Sequence, residues 1–171
     1  MIEVIEDSDY LVVSLHEMKT HLKIEHEELN DVLINYIKLA TRFVERMIGK
    51  SFLIKTYRYY WKQFLPTPMY QSIKMPITPI KEVVGLIQNP NRTRIRRYSV
   101  EIAQYILIQE CYTDVEFIYK AGMALHPKDI DDEYKHLVRM VAQAMFEEKD
   151  LETHPCMKVL QCYKNNSCTS L

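Results

Sequence analysis

Histidine, cysteine and paired carboxylates are the side chains that bind metals or move protons, and their spacing in this sequence suits neither task. His16, His21, His26, His126, His136 and His154 are scattered, and no two have a helical metal-ligand spacing with a carboxylate between them to act as base. Cys156, Cys162 and Cys168 recur at equal spacing near His154, but metal knuckles hold paired ligands about two to four residues apart so that one turn presents both. With Cys111 the only cysteine outside that C-terminal segment, the set does not resemble the spread framework of a secreted disulfide scaffold, and reduced thiols are expected. Glu27-Glu28 and Asp131-Asp132 lie where helices should begin, and negative charge stabilises that end without any catalytic role. No serine stands in a nucleophile elbow, and no cysteine in a catalytic signature. Three glycines are too few for phosphate-cradling loops. The reading is of a non-enzyme: no catalytic residue, no metal ligand set and no cofactor.

Two other constellations suit binding. Arg92, Arg94, Arg96 and Arg97 form the one concentrated positive patch, at an expected loop or hairpin tip. Such a patch neutralises phosphates, faces an acidic protein neighbour, or is simply solvated. Tyr57, Tyr59, Tyr60 and Trp61 can stack on bases, but aromatic residues in a strand are more often core or protein interface.

The elements that must position these residues follow from periodicity and caps. Ser14 and Glu17 form a capping box, with Leu15, Met18 and Leu22 on one side of a short helix to about Lys23. Leu29, Val32, Leu33, Tyr36, Ile37, Ala40, Phe43, Val44, Met47 and Ile48 repeat at helical spacing, and Gly49 suits a left-handed C-cap. Residues 56–64 are β-branched and aromatic and read as a strand. Pro66, Pro68, Pro76 and Pro79 exclude a helix or central strand from 65–79, leaving a loop with edge-strand character. Strands are expected at 80–88, 105–109 and 115–121. A final helix should follow Pro127, with Tyr134, Leu137, Val138, Val141, Ala142, Met145 and Phe146 as its apolar stripe. The expected fold class is α+β and mainly α-helical, long helices packed with a small antiparallel sheet or hairpin. Residues 1–150 form the expected domain, and 151–171 a flexible tail.

Nearly half the residues are apolar (47%) and the net charge is −1, which rules out disorder throughout and any whole-chain attraction to nucleic acid. No apolar run approaches a membrane span, and the acidic Met1–Asp9 stretch lacks the features of a secretory leader, so residence in the cytoplasm and no membrane partner are expected.

The run Ser14-Leu15-His16-Glu17-Met18-Lys19-Thr20-His21-Leu22-Lys23-Ile24 resembles the opening of phage head-tail connector (adaptor, or head-completion) proteins of long-tailed phages and prophages. The resemblance continues through Ala40 to Phe52, through Ile73-Lys74-Met75-Pro76-Ile77-Thr78-Pro79-Ile80-Lys81-Glu82-Val83, through Val115 to Gly122, and into the last helix. It spans roughly 12–150, with a shorter, glycine-poor middle between Leu86 and Val115 than in many relatives.

The resemblance implies a non-enzymatic virion subunit, made in the bacterial cytoplasm and placed at the head–tail junction. Its partners would be other copies of itself in a ring, a dodecamer in the particle, together with the portal protein and a stopper or tail-completion protein. On this reading Tyr57, Tyr59, Trp61, Pro76 and Pro79 serve subunit interfaces by packing or strand augmentation. Leu151, Pro155, Met157, Val159, Leu160 and Tyr163 lie in a tail that orders on the portal. Arg92, Arg94, Arg96 and Arg97 face either DNA in the channel, non-specifically, or an acidic neighbour. The alternative is a small nucleic-acid-binding accessory protein built around the arginines; a deep polar pocket would instead favour an enzyme assembled from distant residues.

Overall fold

The structure, a computed structural model, describes residues 1–63, 71–89, 91–109 and 112–166. Phe64, Pro66, Pro68, Pro90, Cys111, Cys168 and the last residues of the expected tail lie outside these. The chain divides into two units, each built from separate stretches of sequence.

One unit comprises Met1–Ser8 and Leu53–Met123 and is made of strands. These are β1 (Ile2–Glu6), β2 (Lys55–Lys62), β3 (Gln71–Lys74), β4 (Ile80–Gln88), β5 (Thr93–Arg94), β6 (Tyr98–Glu101), β7 (Tyr105–Ile108) and β8 (Asp114–Ala121). They form a five-stranded sheet in the order β1-β2-β8-β4-β5 and a three-stranded sheet β3-β7-β6, and every pairing is antiparallel. Val115, Phe117, Tyr119 and Ala121 alternate along β8 and are fully buried, the period-two signature of a strand with one face on the core. That core is shared by the two sheets, with Leu86 and Phe117 from one and Ile73, Ile106 and Ile108 from the other. At the end of β8 the Gly122 amide donates to the Pro79 carbonyl at 3.1 Å. A Cβ on Gly122 would collide with the backbone of Leu53 and Ile54, so only glycine lets these segments approach.

The expectation of a mainly helical chain with a small hairpin is therefore wrong: two sheets, of five and three strands, make up one of the two units. The extra strands are short and lie at sheet edges. β1 is exposed at all its positions, and β3 lies within the proline-rich stretch, just before Pro76 and Pro79. An edge strand tolerates nearby proline because one side of its backbone needs no ladder bond.

The other unit comprises Asp9–Phe52 and the chain from Ala124 onward. Its helices are α1 (Leu15–Leu22), α2 (Asn30–Ile48), α3 (Asp132–Phe146) and α4 (Pro155–Asn166), with a 3-10 turn at Pro127–Asp129. The capping box forms as expected: the Glu17 amide donates to Ser14 Oγ at 3.2 Å, and the Ser14 amide to Glu17 Oε2 at 2.7 Å. Leu33, Ile37, Ala40, Val44 and Ile48 give α2 one buried stripe, and Gly49 ends it with φ of 70°. Buried Glu45 accepts from the Phe52 amide at 2.8 Å and Ser51 Oγ at 3.3 Å, tying down the chain after α2. α3 buries Leu137, Val138, Val141 and Ala142 against α2. The segment expected to be a flexible tail instead carries α4, which packs on α2 and α3 through the buried Cys156 and Leu160.

Candidate assembly surfaces

The arginine patch straddles β5. Thr93 and Arg94 pair with Gln88 and Ile87 of β4, the Ile95 amide donates to the Leu86 carbonyl at 2.9 Å, and the Ile95 side chain is buried in the core. That plug holds a segment on which Arg92, Arg94, Arg96 and Arg97 are all exposed. Arg92 takes a left-handed φ of 52°, and Arg94 Nη2 donates to the Val84 carbonyl at 3.3 Å. The patch is thus a cluster of cations on an anchored sheet edge.

The aromatic run behaves differently. β2 is an interior strand, paired with β1 on one side and β8 on the other, so it offers no edge for augmentation. Tyr57 is buried, stacked on Tyr119 with ring centroids 5.8 Å apart, while Tyr59 meets Phe117 at 6.0 Å and Trp61 packs against the same core. Tyr57 is therefore occupied within its own unit, and Tyr59 and Trp61 are half-buried. Burial raises the Tyr59 and Tyr119 phenols above their ordinary range. Pro76 and Pro79, also half-buried, follow β3, which among the described strands pairs only with β7.

Open edges lie elsewhere. Among the described strands, β1 and β5 end the larger sheet, and β3 and β6 end the smaller. Ile2, Val4 and Ile5 are exposed on β1, which the aperiodic, acidic N-terminus did not reveal as a strand. β6 and β7 are joined by Ile102, Ala103 and Gln104, in a turn closed by the Gln104 amide donating to the Glu101 carbonyl at 3.1 Å. Ile102 and Ala103 there have positive φ of 51° and 52°. For residues other than glycine that conformation costs about 1–2 kcal/mol each.

Of the tail residues, Leu160 points into the helical unit. Tyr163 is held on α3 by its hydroxyl donating to Glu133 Oε2 at 3.0 Å and by ring contact with Tyr134 at 6.0 Å. Leu151 and Met157 are half-buried, whereas Pro155 and Val159 are exposed. Cys156 and Cys162 are free thiols, and burial pushes the Cys156 thiol up, away from reactivity.

For chemistry these surfaces offer little. The hollow lined by Tyr59, Trp61, Gln63, Gln71, Ser72, Ile73 and Lys74 presents one amine, two amides and the Ser72 and Tyr59 hydroxyls, and no acidic or imidazole side chain. Among the described residues no group of three histidine, cysteine or acidic side chains is placed to hold a metal ion, and no helix is long and apolar enough to cross a membrane.

Residues 12–88 match the family of phage gp6-like head-tail connector proteins, and the resemblance read from the sequence is borne out. No curated protein matches the chain. Among solved structures, a chain in the neck of the empty GTA particle, computed with C6 symmetry, superposes with a TM-score of 0.73 at 15% identity, covering 96% of this chain and 95% of that one. A chain in the neck of the native GTA particle, computed with C12 symmetry, gives 0.72 at 15% identity over 96% and 94%. A chain in the virion of the native gene transfer agent particle gives 0.72 at 16% over 96% and 95%. At these identities the likeness is one of fold, and it extends over nearly the whole chain.

Proposed function

Taking a chain whose residues 12–88 match phage head-tail connectors as the premise, we propose that this protein is a structural subunit of a phage, prophage or gene-transfer particle. It assembles as a homo-oligomeric ring at the head–tail junction, between the portal and the tail, and catalyses no reaction. The observation that carries this reading is the coincidence of the connector match over α1 to β4 with a fold shared almost end to end with neck chains of particles computed with C6 and C12 symmetry. A ring of twelve copies is the form these symmetries favour.

In this role the protein is made in the bacterial cytoplasm, is captured by the portal, and presents a platform for a stopper or tail-completion protein. The exposed residues Pro155 and Val159 of α4 belong to the portal-facing surface. Arg92, Arg94, Arg96 and Arg97 face DNA in the channel or an acidic neighbour, and the anchored, exposed geometry of the patch supports either.

The experiment is the absolute mass of the purified chain by light scattering, alone and with the portal protein of the same genome. Ring-sized species are expected, at least with portal. A monomer inert to portal at every concentration overturns the reading and favours the arginine-based nucleic-acid accessory, for which salt-dependent DNA binding is the test.

A further inference from the structure

The turn between β6 and β7 carries a residue that its own fold does not ask for. Where both central residues of a hairpin turn have positive φ, asparagine and glycine fit best, because a branched Cβ meets the backbone there. Here the residues are Ile102 and Ala103, and Ile102 is 77% exposed. A β-branched apolar side chain thus sits in water, at the tip of a hairpin, in a conformation that opposes it. Val100 on β6 is 42% exposed, and Glu101 between them is exposed as well. The tip is an apolar knob beside one carboxylate.

The outward side of α2 has the complementary character. Val32 and Leu39, at 42% and 52% exposed, are seven residues apart and so lie on one stripe of the helix. Exposed Lys38, Arg42 and Arg46 lie at the Leu39 end of that stripe, where the one acid between Leu39 and Arg46, Glu45, is buried, whereas exposed Asp31 adjoins Val32 at the other end. The Leu39 end, apolar with cations beside it, matches an apolar knob with an acid.

We propose that the Ile102 tip of one copy docks on the Leu39 stripe of α2 in a neighbouring copy, with Glu101 meeting the cations around it. The proposal rests on the ring reading above. Knob and stripe are different surfaces, so the contact is head-to-tail: each copy offers one of each, and repetition continues from copy to copy, as a ring requires, instead of stopping at a dimer.

Two variants of the full-length chain test it with portal present, by light scattering across concentration. Ile102→Asn with Ala103→Gly supplies the residues the turn prefers, so its melting temperature should equal or exceed that of the wild type while half-assembly needs about tenfold more protein. Leu39→Glu, on the exposed side of α2, places an acid opposite Glu101 and should weaken assembly at least as much. Wild-type assembly by both variants overturns the contact and leaves the connector reading standing. Loss in the hairpin variant alone overturns a second copy as the occupant and assigns the tip to the portal. A wild-type chain that never forms rings overturns the connector reading and this contact with it.

Discussion

Arg58 Nε lies 3.0 Å from Oε1 of Glu116, a carboxylate that is almost wholly buried on the central strand β8. The same guanidinium reaches Glu3 Oε1 on β1 at 3.1 Å, so one side chain on β2 ties the edge strand to the middle of the sheet. Thr56 Oγ1 donates to Glu6 Oε2 at 2.7 Å, and Lys55 Nζ lies 3.3 Å from Asp7 Oδ1. Since β1 buries none of its residues, this polar latch and the ladder bonds are what hold it. Removing one member of a buried charge pair costs more than removing both, because the survivor is left desolvated. Arg58→Met is expected to lower the melting temperature, and Arg58→Met with Glu116→Leu to recover part of the loss. A double variant that melts below the single one would contradict this account.

At the start of α1, partial burial works against the Glu17 carboxylate, but hydrogen bonds from the Ser14 side chain and amide, with Lys135 and Arg139 nearby, hold it below the usual carboxylate range. A carboxyl with a lowered folded pKa stabilises the fold above its unfolded pKa, and that contribution fades as pH falls through the folded value. Ser14→Ala should therefore cost about 1 kcal/mol near neutrality and progressively less in acid. Chemical denaturation at several pH values checks both the size and the trend.

The helical half of this architecture was legible because its signals are local. Ser14 with Glu17, the α2 stripe and Gly49 each lie within a few residues of what they determine. The sheets were under-read because their pairings are remote and their edges exposed: Ile2 sits opposite Tyr59, and Gln71 opposite Ile108. The aromatic run on β2 was visible, but its burial was not, since the covered face is set by a core that includes Ile73, Ile106 and Ile108 of the other sheet, remote in sequence. The arginines stand exposed on and beside β5, a short edge strand where a loop or hairpin tip is expected from the sequence, because two residues of strand are too few to show a period. α4 had a readable signal in Cys156, Leu160 and Tyr163, three or four residues apart, which the polar residues around them obscured.

Gly122→Ala is expected to be among the most damaging single changes. The new Cβ meets the backbone of Leu53 and Ile54, not a flexible side chain, so the chain entering β2 and the chain leaving β8 must separate. A loss of about 3 kcal/mol or more, or failure to accumulate as soluble protein, is the outcome to look for by denaturation and expression yield. Wild-type stability would mean that this approach is looser than described.

Tyr119→Phe should move the other way. The Tyr119 hydroxyl is buried and, among the described residues, makes no hydrogen bond, although the Ile77 backbone lies near it. Deleting a buried polar group that lacks a partner returns its desolvation cost, while the ring and its stacking on Tyr57 are kept. Stability is expected to stay level or rise by about 1–2 kcal/mol, and a clear loss would reveal a partner for the hydroxyl.

Portal docking by the C-terminal segment can now be separated from folding. Leu160 is fully buried, so Leu160→Ala should cost about 2–5 kcal/mol of stability, and deleting the whole segment would confound a lost fold with a lost contact. Val159, one residue earlier and about 100° round the helix, is exposed. If α4 meets the portal, Val159→Glu leaves the melting temperature within about 0.5 kcal/mol equivalent of wild type while weakening portal capture about tenfold. Undiminished capture by Val159→Glu, and equally by Pro155→Glu, would remove this helix from the portal surface and leave it as part of the helical core alone.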